Sequence, residues 1–386
     1  MTDHFESHII RTPQADLQIL RQATVFAPTA EDPTPALTYP RIVRLQHSGV
    51  HNGILLSTAE SLHVEAYLIH RSDDDGRTWR QVGEVTSHIP EWIANWQPML
   101  YELPCTVGDM PAGTLLLAGC VRNRPTSETA MCIYRSNDLG ASWTLLSTVA
   151  EGGGFSQTGG LSKGLWEPFL LCDEQGMLWC FYSDELDAER HSQMLVCRSS
   201  TDGIHWSETR RIVACADPHL RPGMITVTRM GDGRYFLAYE MVGIRNNPVY
   251  GKTTADLSDW GDPADPGARV ETPEGKGVGS TPYCCWLPAG GDGGTLIVTG
   301  KNHSGTGESK TGTDWLVSHD FGKTWTAVDN PLPYTPNGLF RYAYSPGLFA
   351  AEDGKTLYYV NDINSEEVPS KAKIQLALIE VSARGD

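Results

Sequence analysis

The chain has 386 residues, with 30 Lys and Arg against 47 Asp and Glu, a formal net charge of −17. Its basic residues do not cluster, so neither nucleic acid nor an anionic membrane is an expected partner, and no run of 18 apolar residues is present to cross a bilayer as a helix. With 39 Gly, 24 Pro, no heptads and no long amphipathic helical stretch, the composition suits many short strands joined by turns.

The N-terminus, Met1-Thr2-Asp3-His4-Phe5-Glu6, is polar and acidic, unlike a secretory signal, so a cytoplasmic location is expected. The nine cysteines show no CxxC or zinc spacing, and most lie in apolar runs (Cys120, Cys132, Cys172, Cys180, Cys197). They are expected to be free thiols of a reducing compartment, with no metal site and no cofactor.

Residues 16–20 predict a first strand. Residues 39–45 and 53–58 predict two more, and the stretch Ser72-Asp73-Asp74-Asp75-Gly76-Arg77-Thr78-Trp79 follows. Here an Asp accepts backbone N–H bonds inside a tight turn, a Gly takes the φ > 0 position, and a Trp packs on the sheet just beyond. The same order then recurs. Strands begin near Gln97-Pro98-Met99 and run through 114–118, and the turn returns as Ser136-Asn137-Asp138-Leu139-Gly140-Ala141-Ser142-Trp143. A third pair of strands, from Trp166 and from Met177 to Asp184, precedes a shortened copy, Ser200-Thr201-Asp202-Gly203-Ile204-His205-Trp206. A fourth pair, after Arg221-Pro222-Gly223 and through 234–240, precedes a worn copy around Asp256 and Trp260. A fifth, from Thr281 and through 295–300, precedes Ser318-His319-Asp320-Phe321-Gly322-Lys323-Thr324-Trp325. The sixth group has strands predicted from Arg341, at 357–360 and at 374–381, and then no further turn motif.

The five aspartates fall at 74, 138, 202, 256 and 320, in steps of 64, 64, 54 and 64 residues. A period of this size, with room for four strands, predicts an all-β six-bladed β-propeller with four-stranded antiparallel blades and Asp-box turns, a single domain over 1–386. The last blade lacks an outer strand, and the N-terminal segment is its natural donor, which removes an open sheet edge. If the motif joins the third and fourth strands, all copies lie at one end of the ring. The starts of the innermost strands and the ends of the second strands then meet at the other end.

That opposite mouth collects Arg41, Glu60, Arg122, Glu167, Asp184, Arg221, Glu240, His303, Tyr342, Tyr344 and Asp362. Two irregular loops, 150–164 and 261–279, are expected beside it. Strand ends at a propeller mouth are often merely solvated, and the two glutamates could be rim salt bridges to Arg41 or Arg221. The catalytic reading rests on Glu167, between Trp166 and Pro168 at the head of an inner strand, and on Glu240, which ends the apolar run Tyr235-Phe236-Leu237-Ala238-Tyr239 in the next blade. Two carboxylates flanking a bond are the equipment of a glycosidase, and neighbouring aromatic rings such as Trp166, Tyr239, Tyr342 and Tyr344 supply stacking surface for a sugar.

The repeated motif resembles the Asp-box of sialidase-type propellers. Tyr39-Pro40-Arg41-Ile42 is similar to the first arginine motif of sialidases, and Arg41, Arg221 and Arg341 could form a carboxylate clamp with Tyr342 as the tyrosine. Between Arg41 and Asp73, however, the only carboxylates are Glu60 and Glu65, so the expected sialidase aspartate is missing. Trp166-Glu167-Pro168 and Gly233-Arg234-Tyr235 with Tyr239-Glu240 resemble glycoside hydrolase family 93, the exo-α-1,5-L-arabinanases. That resemblance implies a retaining exo-enzyme acting on α-1,5-linked arabino-oligosaccharides through Glu167 and Glu240, with Glu167 preferred as nucleophile and Glu240 as acid/base, the two roles remaining exchangeable. Arg41, Trp166, Asp184, Arg221, Tyr239, His303, Tyr342 and Tyr344 are the expected substrate-binding residues. A sialidase or other acidic-sugar hydrolase and a non-catalytic sugar-binding propeller are the alternatives. The partner is an oligosaccharide in either enzymatic reading, and the sequence leaves the oligomeric state open.

Overall fold

The structure, a computed structural model, describes residues 8–31, 37–61, 64–155, 162–304, 314–333, 344–366, 368 and 371–385, with the side chains of 302–304 excepted. Six antiparallel sheets follow one another along the chain. Blade one is built from Leu37–Arg44, Leu55–Ser61, Ala66–Ser72 and Arg80–Thr86. Blade two uses Trp92–Glu102, Leu115–Asn123, Glu128–Ser136 and Thr144–Gly154. Blade three uses Leu165–Cys172, Leu178–Asp184, Met194–Ser200 and Arg210–Ala214. Blade four has Arg221–Arg229, Tyr235–Val242, Val249–Thr254 and the short Ala268–Arg269. Blade five has Tyr283–Leu287, Thr295–Thr299, Asp314–Ser318 and Thr326–Asp329. The inner strands of successive blades contact one another all the way round, and blade six returns to blade one.

Blade six is completed as expected from its missing strand. Gly347–Ala350, Thr356–Asn364 and Ala372–Ala383 are joined by Ala15–Phe26, which pairs antiparallel with Ala372–Ala383, and Ile9–Arg11 adds a short fifth strand. The inner strand thus begins at Gly347, later than the predicted Arg341, and 334–343 lie outside the described residues. Side chains from both chain ends share one apolar cluster there, including Val25, Leu37, Leu55, Val360 and Leu376.

The Asp-box turns join the third and fourth strands of their blades. In blade one the Thr78 N–H and hydroxyl donate to Asp74 Oδ1 and Oδ2 at 2.9 and 2.6 Å, and the Gly76 N–H donates to Ser72 Oγ at 2.8 Å. Asp75 and Gly76 are both left-handed, as are Leu139-Gly140 and Phe321-Gly322, so the turn needs two consecutive φ > 0 residues rather than one. The Gly76 position leaves no room for a Cβ, which would stand 2.5 Å from Leu376 of blade six. The turn of blade one also locks the closure, since Tyr358 donates to Asp75 Oδ1 at 2.7 Å and Arg21 of the closing strand donates to both the Asp75 carbonyl and its carboxylate.

The loop 261–279 is less irregular than predicted. It contains the outer strand of blade four and Gly277–Gly279, which pairs with Asn302–Ser304 in a separate two-stranded ribbon. The loop 150–164 begins as the outer strand of blade two, and 156–161 lie outside the described residues. Among the described residues no helix is long and apolar enough to cross a membrane.

Candidate active site

At the end of the ring opposite the Asp-boxes, each blade has a left-handed residue near the head of its inner strand, and blade five has a second, Ser280, just before it. The six at the strand heads are Tyr39, Gln97, Glu167, Met224, Thr281 and Ser345, with φ between 47° and 66°. Five of the six precede a proline: Pro40, Pro98, Pro168, Pro282 and Pro346. In blades one to four the residue lies in a β-bulge, where the pairing register skips, for example from Trp166 to Phe169. Non-glycine residues in this region cost of order 1–3 kcal/mol and persist where the surroundings fix them.

The fixing agent is a hydrogen bond across the blade junction. Gln97 N–H donates to Glu60 Oε2 at 3.2 Å, Glu167 N–H to Gln97 Oε1 at 3.0 Å, and Met224 N–H to Glu167 Oε2 at 2.6 Å. Thr281 N–H donates to Glu240 Oε2 at 2.8 Å, and Tyr39 N–H to the Tyr344 carbonyl at 2.9 Å. Glu167 and Glu240 therefore face peptide N–H groups rather than forming the rim salt bridges that the sequence left open. Arg41 is turned away from them, donating to the Ser345 carbonyl and hydroxyl at 2.8 Å each, and Arg221 pairs with Glu185 at 2.8 Å.

Both glutamates are 6 % exposed and lie close to Gly223. A Cβ on Gly223 would lie 3.5 Å from Glu167 Oε2 and 3.7 Å from Glu240 Oε1, so those oxygens are no farther apart than the sum of the two distances. The pair is electrostatically unequal. Burial, reinforced by the charge of Glu240, pushes Glu167 up to about 7 against the opposing pull of Arg221, Ser183 and the Met224 N–H. Burial also raises Glu240, opposed by the Thr281 N–H, Ser280, Arg221 and Lys301. Glu167 Oε2 holds two donors, Met224 N–H and the Ser183 hydroxyl at 2.7 Å, while Oε1 has no partner among the described residues. Two neighbouring carboxyl groups, one with a raised proton affinity and an open oxygen, can protonate a leaving group and support or attack the positive centre that forms.

The predicted binding residues divide. Trp166 is half-buried beside Glu167 in a cluster with Trp96 and Phe155, at ring separations of 5.7 and 5.1 Å, and Arg122 lies 4.3 Å over Trp96. Tyr344 is at the axis: burial and then the charges of Glu240, Glu167 and Glu60 push its phenol well above the ordinary value. Tyr239 projects from the opposite face of the blade to its neighbour Glu240, stacks on Tyr250 at 5.9 Å and donates to the Pro266 carbonyl at 2.6 Å. Asp184 accepts the Leu186 N–H at 2.7 Å and makes no contact with the glutamate pair. The backbone of His303 sits in the ribbon opposite Val278 rather than at the end of a blade-five strand, and Tyr342 and Arg341 lie outside the described residues. Gln97, Ser183 and Glu185 were not anticipated. The recurring X-Pro at the inner-strand heads was the available signal for Gln97.

Among the described residues no group of three His, Cys, Asp or Glu could hold a metal ion. The far end of the axis holds a cavity of about 260 Å³ with a mainly apolar wall. Its carboxylate, Glu102, is already taken by the N–H groups of Gln46 and His47 and the Ser48 hydroxyl.

The BNR-Asp box repeat family matches residues 316–328. No curated protein sequence matches this chain. Among solved structures, an α-L-arabinanase of Penicillium chrysogenum complexed with arabinobiose is 29% identical with a TM-score of 0.80, covering 94% of this chain and 98% of that one. The family 93 α-L-arabinofuranosidase of Fusarium graminearum, also with arabinobiose, is 27% identical with a TM-score of 0.80 over 94% and 98% of the two chains. The same Fusarium enzyme with an iminosugar inhibitor gives 27% and 0.79 over the same shares. This chain is an Asp-box six-bladed β-propeller similar, over nearly its whole length, to glycoside hydrolases of family 93.

Proposed function

We propose that the protein is a retaining exo-α-L-arabinanase-like hydrolase that cleaves α-1,5-linked arabino-oligosaccharides from the non-reducing end. The observation that carries this reading is the pair of buried carboxylates brought together beside Gly223. The arabinobiose bound to two of its structural neighbours supports the sugar class.

Burial and the Glu240 charge raise the Glu167 carboxyl to about 7, which supports it as the proton donor and Glu240 as the nucleophile, the exchange of roles that the sequence left open. Glu240 attacks the anomeric carbon, breaking the glycosidic bond as Glu167 gives its proton from the open Oε1 to the departing oxygen. Water then attacks the glycosyl-enzyme, surrendering a proton to Glu167 as Glu240 leaves. Trp166, Trp96 and Phe155 offer apolar faces to the sugar beside Glu167. The acidic-sugar alternative has less support, because the guanidinium groups of Arg41 and Arg221 are bonded to Ser345 and Glu185.

The test is incubation with arabino-oligosaccharides, debranched arabinan and sialyl-lactose, following product identity and anomeric configuration by NMR. Release of a short arabinoside with retained configuration is expected. Glu167→Ala and Glu240→Ala should each lower kcat by orders of magnitude. Azide should rescue Glu167→Ala with retention and Glu240→Ala with inversion. Full activity in both variants, or cleavage of sialyl-lactose alone, would overturn the reading.

A further inference from the structure

Seven of the nine cysteines are buried, and the two that are not, Cys105 and Cys172, are in sulfur contact with each other. Their Sγ atoms lie 3.3 Å apart. Cys105 sits in the loop after the inner strand of blade two, and Cys172 ends the inner strand of blade three. The contact therefore spans a blade junction at the Asp-box end of the ring, far from the glutamate pair.

The two backbones are held beside each other independently of the sulfurs. The Cys172 N–H donates to the Tyr101 hydroxyl at 2.8 Å, from the strand that leads into Cys105. Gly176, in the turn after Cys172, approaches the same loop closely: a Cβ there would meet the Thr106 carbonyl at 3.3 Å and Cys105 Sγ at 3.8 Å. Closing the remaining gap to the bonded S–S distance of about 2.05 Å requires side-chain rotation rather than movement of a blade.

We propose that Cys105 and Cys172 are a redox-modification site, a reversible disulfide stapling blade two to blade three. The oxidant class is a low-molecular-weight disulfide such as oxidised glutathione. The Cys105 thiolate attacks one of its sulfurs and expels a thiolate, leaving a mixed disulfide. The Cys172 thiol then loses its proton and displaces the second thiolate, so one external disulfide is reduced to two thiols while two protein thiols become one disulfide. Burial and the neighbouring Cys105 raise the Cys172 thiol, so Cys172 is written as the resolving thiol. The bond ties positions 67 residues apart, so it restricts the unfolded chain and raises thermal stability.

The test treats the folded full-length chain with oxidised glutathione and reads intact mass, thiol count, peptide map and melting temperature. The expected result is a mass about 2 Da below the reduced protein, the two lost hydrogens. Two thiols are lost, the Cys105 and Cys172 peptides are cross-linked, and the melting temperature rises reversibly with dithiothreitol. Cys105→Ser and Cys172→Ser should fold with the melting temperature of the reduced protein and show neither the cross-link nor the rise. Stable glutathione adducts without a cross-link, a cross-link between other cysteines, one formed only after denaturation, or no reaction would overturn the proposal.

Discussion

Replacing Glu167 by Gln should stabilise the protein, and only above acidic pH. Burial and the charge of Glu240 move the Glu167 carboxyl from about 4.5 to about 7. A carboxyl raised on folding binds its proton more tightly in the folded chain, so across that window the folded state holds more protons and stability falls as pH rises. Below pH ~4 both states are protonated and the group is neutral in effect; above pH ~7 the fold must carry a buried charge and the whole difference counts against it. At 1.36 kcal/mol per pH unit the difference is about 3 kcal/mol. Gln keeps an oxygen for the Met224 N–H and the Ser183 hydroxyl but has no charge to bury. With an unfolding entropy of about 2.1 cal/mol/K per residue, 3 kcal/mol over this chain is a shift of about 4 °C. Calorimetry of both proteins should give matching melting temperatures near pH 4 and a variant about 4 °C higher near pH 8.5. A variant less stable than the parent at pH 8.5, or an offset identical at both pH values, would refute burial and Glu240 as the cause.

Gln97→Met removes the acceptor of the Glu167 N–H while keeping the side-chain bulk, and should lower kcat by roughly 10–100-fold through misplacement of Glu167, with little change in KM; unchanged kcat would show that the bulge needs no such support. Asp138→Ala deletes the acceptor of the Ser142 N–H and hydroxyl and should cost about 1–2 kcal/mol in a denaturant titration without altering kcat, since this turn lies at the other end of the ring. Deleting residues 1–26 should lower the melting temperature sharply and promote aggregation in light scattering, because it uncovers the whole edge of Ala372–Ala383.

The turns and the ring were legible because each Asp-box obliges an acceptor, a left-handed pair and a Trp at fixed offsets, and such obligations survive in sequence. The closing strand was legible by subtraction. Which way a side chain points at the mouth was harder to read. A bulge inserts a residue and resets the alternation of faces, so Arg41 lands against Ser345; ordinary alternation lets only one of the neighbours Tyr239 and Glu240 reach the axis. Arg221 meets Glu185 rather than Glu167 or Glu240, a pairing between blades three and four that no local pattern encodes. Glu167 was picked out by its Trp and Pro neighbours. Its kinship with Tyr39, Gln97, Met224, Thr281 and Ser345 emerges only when the six strand heads are superposed in space.

The pairing of Ala15–Phe26 with Ala372–Ala383 also sets a timetable for synthesis. Blades one to five are each a continuous stretch of chain and can form their sheets soon after leaving the ribosome. Blade six cannot, because Ala15 pairs with Ala383. Ala15–Phe26 has only the short Ile9–Arg11 to pair with until Ala372–Ala383 is made, and Leu17, Ile19 and Val25, buried in the finished ring, wait for most of their packing partners. Such non-local pairing is the slow class of contact, and the waiting strand is an open edge throughout. The ring can therefore be sealed only once Ala372–Ala383 has been made, and the interval before that is when the molecule is most exposed to pairing with a second copy of itself.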